Sequence, residues 1–169
     1  SDNVVRYNIS ENDGQGTHFA GIYIYMGSDQ SNIHVYNNVI YNEKGRNVVS
    51  GSCSNSFYFR NNIFITRDKG KYTNDIGSGV FQNNLYWSPD GTGNWDGIVS
   101  LAEWREKTGN EKLDGKDTGY NVDPLLKNSG KGTKLTDPRQ LPMLFEYMLK
   151  PNSICIDKGL DLKALFNID

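Results

Sequence analysis

Four short stretches limit what this chain can fold into: RYNIS at 6–10, YNNVI at 36–40, RNNIF at 60–64 and QNNLY at 82–86. Aligned on Asn8, Asn38, Asn62 and Asn84, they recur at intervals of 30, 24 and 22 residues. Val5, Val35, Phe59 and Phe81 stand three positions before each Asn, and Ile9, Val39, Ile63 and Leu85 one position after it. A glycine turn comes after each stretch, at Gly14, Gly45, Gly70 and Gly91. Two apolar columns thus flank one polar column. Asn is depleted in strands, so a strand that carries it at its centre needs a neighbour to satisfy its amide.

A repeat of this length implies stacking, because one unit cannot bury its apolar face without another above and below it. Between the Asn strands lie further strand candidates, GIYIYM (21–26), NVVS (47–50) and DIGS (75–78). Each turn of the stack therefore holds two or three short parallel strands. Equivalent residues then fall about 4.8 Å apart, and the asparagines form a ladder in which each amide is satisfied by its neighbours. The alternative is that they face solvent and recur because the repeats are duplicated.

Composition agrees with this reading. The chain has 169 residues, about one domain, with 36% hydrophobic content, 18 Gly and 10 Tyr, which favours many short strands over a helical bundle. The net charge is −2 and the basic residues are dispersed, which excludes the concentrated positive stripe of a nucleic-acid partner. No run approaches the length of a membrane span. SDNVVRYNIS has no basic and apolar leader pattern, which leaves export open. Cys53 and Cys155 lack metal-site spacing; two buried thiols are expected rather than one long-range disulfide.

The second half reads as a closing segment. Ser100 and Glu103 form a capping-box pattern, Leu101 and Trp104 share a helix face, and Gly109 suits the helix end. Pro124, Pro138, Pro142 and Pro151 interrupt the chain beyond this helix, so 110–144 should be mainly loop and Phe145 to Leu149 a covering strand. We place the coils at 1–91 and the closing region at 92–169. Trp87, Trp95 and Trp104 are expected as core or loop anchors.

The repeated x-N-N-[VIL]-[IFY] pattern, GIYIYMG, the helix SLAEWREKTG (100–109), NVDPL (121–125) and FEYMLKPNSICIDKG (145–159) together resemble the pectate lyase superfamily. The resemblance implies an all-β, right-handed parallel β-helix of about four coils with a C-terminal capping segment containing one short helix. It also implies a secreted, periplasmic or cell-surface bacterial protein of polysaccharide lyase or glycoside hydrolase lineage. Because Ser1 and Asp2 lead directly into an Asn strand, the first coil is expected to be uncovered. Upstream coils of a longer chain, or another chain, would then cover it.

Lyases of this type need a cation beside the substrate carboxylate and a base, whereas hydrolases need two carboxylates across the scissile bond. The densest charged cluster is Arg6, Glu11, Asp13 and His18, with Asp29 and His34 on the next segment. The expected catalytic residues are Arg6, Asp13 and His18, and the expected polysaccharide contacts are Tyr36, Arg60, His34 and Asp29. No cofactor is required by the sequence. Calcium, used by many members of the superfamily, would fall to Glu11 and Asp13. Plainer roles compete at each position: a turn at Asp13–Gly14, an exposed His18, a surface His34, and a solvated strand face for Arg6, Tyr36, Arg60 and Gln82. Motifs for a nucleophilic triad are absent. A non-catalytic module for glycan binding or surface display is the alternative function.

Overall fold

The computed structural model describes residues 3–14, 19–25, 31–52, 56–132 and 137–168. Its first twelve strands come in threes. The first layer holds β1 (Asn3–Arg6), β2 (Ile9–Glu11) and β3 (Ile22–Tyr23), and the second β4 (Ile33–Tyr36), β5 (Val39–Asn42) and β6 (Val49–Ser50). The third holds β7 (Phe57–Arg60), β8 (Ile63–Thr66) and β9 (Lys71–Asn74), and the fourth β10 (Val80–Gln82), β11 (Leu85–Trp87) and β12 (Asn94–Trp95). The first members of the layers pair in parallel as one sheet, the second members as another, and the third members as a third. The protein is thus mostly β, with these sheets parallel throughout and helix confined to short elements.

Alternation decides what faces inward. In β4, Ile33 and Val35 are buried in the space between the sheets while His34 points out, and Phe57 and Phe59 repeat the pattern beside them in register. Phe59 stacks on Phe81 at 4.3 Å, and Tyr72, Tyr86 and Trp95 fill the rest of the interior.

The two asparagines of each stretch do different things. The first, Asn37, Asn61 or Asn83, turns the corner between the first and second sheets in the left-handed region, at φ 55°, 52° and 58°. Asn tolerates that conformation better than most side-chain-bearing residues. The second Asn points inward. Asn8 Nδ2 donates to Asn38 Oδ1, Asn38 Nδ2 to Asn62 Oδ1 and Asn62 Nδ2 to Asn84 Oδ1, each at 2.9 Å. Each oxygen also accepts from the preceding Asn backbone N–H, and Asn38, Asn62 and Asn84 donate back to the Val5, Val35 and Phe59 carbonyls in the layer before. A buried amide whose donors and acceptor are all engaged costs little to bury.

The chain of amides ends on Glu111, which is fully buried. Its carboxylate accepts from Asn84 Nδ2 (2.8 Å), the Asn84 N–H, the Tyr86 hydroxyl (2.7 Å) and the Thr118 hydroxyl. Burial raises its pKa above the ordinary carboxylate value, and these hydrogen bonds act in the opposite sense.

α1 (Leu101–Thr108) seals this end of the stack with Leu101 and Trp104, whose indole stacks 6.0 Å from that of Trp95. Ser100 accepts from the Glu103 N–H, and Gly109 closes the helix at φ 73°, as the motif predicts. A hairpin of β13 (Lys112–Leu113) and β14 (Lys116–Asp117) comes next, then β15 (Tyr120–Asn121) joins the second sheet beside β11. Strands of the stack therefore continue beyond residue 91, since β12 and β15 extend two of the sheets.

Residues 123–132 and 137–159 contribute the cover over the outer face of the second sheet. Leu126, Leu144, Tyr147 and Leu149 pack on Ile9, Tyr41, Ile63, Ile65 and Trp87, so that sheet is apolar on both faces. Two expected strands differ here. Phe145–Tyr147 is a 3-10 turn that buries Tyr147, with Leu149 alone bridging to Leu126. The third strand of the third layer is Lys71–Asn74 rather than DIGS, because Tyr72 supplies the inward aromatic and Asp75 leaves the strand at φ 52°. The last element, α2 (Leu162–Phe166), lies against the first sheet.

Candidate functional site

The outer face of the first sheet carries two columns in register. One runs Val4, His34, Tyr58, Val80, and the other Arg6, Tyr36, Arg60, Gln82. Parallel pairing sets these side chains about 4.8 Å apart, so they interact as stacks. His34 lies on Tyr58 at 5.0 Å, its Nε2 2.8 Å from Asn32 Oδ1 and its Nδ1 3.3 Å from Arg60. Arg60 donates to Gln82 Oε1 at 2.8 Å and is sandwiched between the rings of Tyr58 and Phe166, at 4.6 and 3.8 Å.

α2 and the segment leading to it change what this face offers. Leu160 donates its N–H to Asn61 Oδ1 and accepts from Asn61 Nδ2, and Lys158 accepts from Asn83. Phe166 then lies over Arg60, which is only 5% exposed and whose pKa burial lowers to about 10. Tyr36 is buried as well. A ligand reaching Arg60 must displace Phe166.

The open part of the face is the corner of the first two layers. Tyr7, Tyr36, Asn37, Leu160, Asp161, Leu162, Lys163 and Ile168 enclose a crevice of about 340 Å³. Arg6 donates to the Tyr36 hydroxyl at 3.1 Å and places its guanidinium 5.5 Å from the Tyr7 ring and 6.0 Å from the Tyr36 ring. Tyr7 meets Tyr36 edge to face, yet is 63% exposed. It occupies the corner that Asn37, Asn61 and Asn83 fill in later layers, at φ 56°. An aromatic residue in the left-handed region costs on the order of 1–3 kcal/mol, and such strain concentrates at ligand sites. A platform ring, a guanidinium and the nearby Lys163 suit a sugar that carries an anionic group.

Two of the expected carboxylates accept hydrogen bonds from neighbouring segments. Glu11 accepts from the Tyr147 hydroxyl and from the Gly132 N–H (2.8 Å), tying the covering segment to the first layer. Asp13 accepts from the Ser10 hydroxyl at 2.6 Å. Among the described residues no group of three His, Cys, Asp or Glu converges as a metal site. Glu11 and Asp13, each already accepting a hydrogen bond, offer few of the six to eight oxygens that calcium takes. His18 and Asp29 lie outside the described residues, as does Cys53. Cys155 is a half-buried free thiol.

Sequence reasoning places Arg6, Tyr36, Arg60 and His34 on one face, and the structure brings them together there. It misses Tyr7, although RYNIS already shows a tyrosine where the other stretches carry their first Asn. It also misses α2.

No family model matches the chain, and no solved structure does. Over 87 residues it is 32% identical to the lacto-N-biosidase of Bifidobacterium longum subsp. longum, a match covering 48% of this chain and 5% of that protein. The chain therefore spans a small part of that relative's length and is similar, over that part, to a glycoside hydrolase.

Proposed function

We propose that the chain is a right-handed parallel β-helix module of a secreted carbohydrate-active protein, of polysaccharide lyase or glycoside hydrolase lineage, and that it holds acidic polysaccharide at the Arg6–Tyr7–Tyr36 corner. The observation that carries the reading is Tyr7, an exposed ring kept in a strained backbone conformation beside a guanidinium. The order in which three parallel sheets take successive strands supports the β-helix, and right-handed connections are the rule between parallel strands. The partial similarity to a glycoside hydrolase supports the carbohydrate partner.

We take the corner to hold rather than cleave, on the ground that Glu11 and Asp13 already accept hydrogen bonds from Gly132 and Ser10. The outer faces of the first layer support a further layer seated on it: Val5, inward-facing, is 43% exposed, and β1, β2 and β3 are the outermost strands of their sheets. That layer would come from upstream coils or another chain.

Calorimetry with an oligouronate and a neutral oligosaccharide of equal length tests the corner. The oligouronate should bind, and more weakly as salt rises. Arg6→Ala should weaken it about tenfold. Tyr7→Asn should weaken it similarly while leaving thermal stability equal or higher, since Asn suits the left-handed corner. Equal binding of the two oligosaccharides, or an unaffected Tyr7→Asn variant, would sink the proposal. A reducing-end assay on the same oligouronate separates cleavage from holding.

A further inference from the structure

A second hollow adjoins the corner crevice, on the other side of Asn37. It is a cavity of about 220 Å³ between the outer face of the second sheet and the segment that covers it. Its floor is the register-aligned column Val39, Ile63, Leu85, and its roof includes Leu149 and Ile154. A cavity of roughly 150 Å³ holds a benzene ring, so this one admits a single six-membered ring with small substituents and not two.

Its polar lining includes the Tyr120 and Lys158 side chains and the corner asparagines, and of those corner amides that of Asn37 has no partner among the described residues. Asn37, Asn61 and Asn83 occupy the same corner position in successive layers and share the same left-handed backbone. Asn83 donates to Asn61 Oδ1 and to the Lys158 carbonyl, and the Asn61 amide exchanges two hydrogen bonds with the Leu160 backbone. The covering segment turns away at Leu160 towards α2. Among the described residues the Asn37 side-chain amide therefore makes no hydrogen bond, while it lines both hollows. What Leu160 gives Asn61 is one donor and one acceptor side by side. Two adjacent hydroxyls of a sugar ring present the same pair.

We infer that the cavity is a subsite for one 6-deoxyhexose ring, with vicinal hydroxyls on the Asn37 amide and the methyl group and apolar ring face among Val39, Ile63 and Leu149. Aliphatic walls favour a methyl group over a hydroxymethyl group, which would lose its water without finding a partner. The inference rests on the carbohydrate reading above but uses a different hollow. Asn37 lies between the two, so neighbouring rings of one glycan would occupy both.

The test is ligand-observed NMR on the whole chain, with methyl 6-deoxyhexopyranosides and their 6-hydroxylated counterparts of the same configuration. The deoxy sugars should bind at least about tenfold more tightly than their counterparts, and should slow alkylation of Cys155, whose residue lines the cavity. Asn37→Gly, which keeps the left-handed corner without strain, should weaken binding about tenfold and leave the melting temperature unchanged. No binding, equal binding of the two sugar series, or binding indifferent to Asn37→Gly would overturn the subsite. Oligouronate binding that Arg6→Ala weakens would survive such a failure, so the two hollows stand or fall separately.

Discussion

Glu111→Ala should lower the melting temperature by roughly 10 °C. The carboxylate receives the Asn84 backbone N–H, the Asn84 amide and the hydroxyls of Tyr86 and Thr118, all of which lose their acceptor together. Each buried donor left unpaired costs about 1–3 kcal/mol, and hydroxyl rotation and water entry recover part of it. A net loss of about 3–5 kcal/mol corresponds to that shift for a chain of this size. Glu111→Gln keeps an acceptor for Asn84 and should cost far less.

The same pair of variants gives a pH signature. Because burial raises the folded-state pKa of Glu111, its protonated form is favoured by folding. The associated stability is complete below the unfolded pKa, about 4.3, and is lost as pH rises through the higher folded value. Wild type should therefore lose stability relative to Glu111→Gln across that window. Urea midpoints measured for both from pH 4 to 8 decide it: parallel profiles would mean that the carboxylate's burial has no energetic consequence.

Asn62→Ala is the second large effect, at about 2–4 kcal/mol. It strips the acceptor from the Asn38 N–H and amide and removes the donor from the Val35 carbonyl and Asn84 Oδ1. Asn62→Asp should be worse at neutral pH, since a carboxylate there faces two acceptors and must be buried as a charge or protonated. Asn8→Ala, at the partly exposed end of the same series, should cost less than about 1 kcal/mol. Chemical denaturation of the three variants checks the gradient. Equal costs along the series would show that the inner amides contribute no more than the outer one.

The parts of this fold that are legible in the sequence arise from interactions that repeat. The Asn spacing, the flanking apolar columns and the in-register stripe of Arg6, Tyr36, Arg60 and Gln82 are visible because every layer restates them. Glu111 escapes notice although it lies 27 residues after Asn84, within the range of the earlier intervals; the changed residue type hides the continuing period. The corner role of the first Asn in each pair is equally hidden, because a left-handed corner leaves no hydrophobic pattern. Alternation alone suggests a strand at Phe145 to Leu149, but a 3-10 turn can bury one tyrosine equally well. The cover over Arg60 depends on the Asn61 contact with Leu160, 99 residues away. Nothing local announces it, so the burial of Tyr36 and Arg60 is not legible from their own strands.

The series of amides also has a direction. From amide to amide the donor always lies on the side away from Glu111 and the acceptor on the side towards it, so the far end finishes on a group that only accepts while ionised, and the near end presents Asn8 Oδ1, an acceptor with no donor among the described residues. The two ends of the series are consequently unlike. A unit joining at β1–β3 continues the series if it brings a donor to Asn8 Oδ1. Two copies meeting face to face there would set oxygen against oxygen, so the polarity of the amides itself opposes that self-association while leaving the end open to a correctly oriented strand.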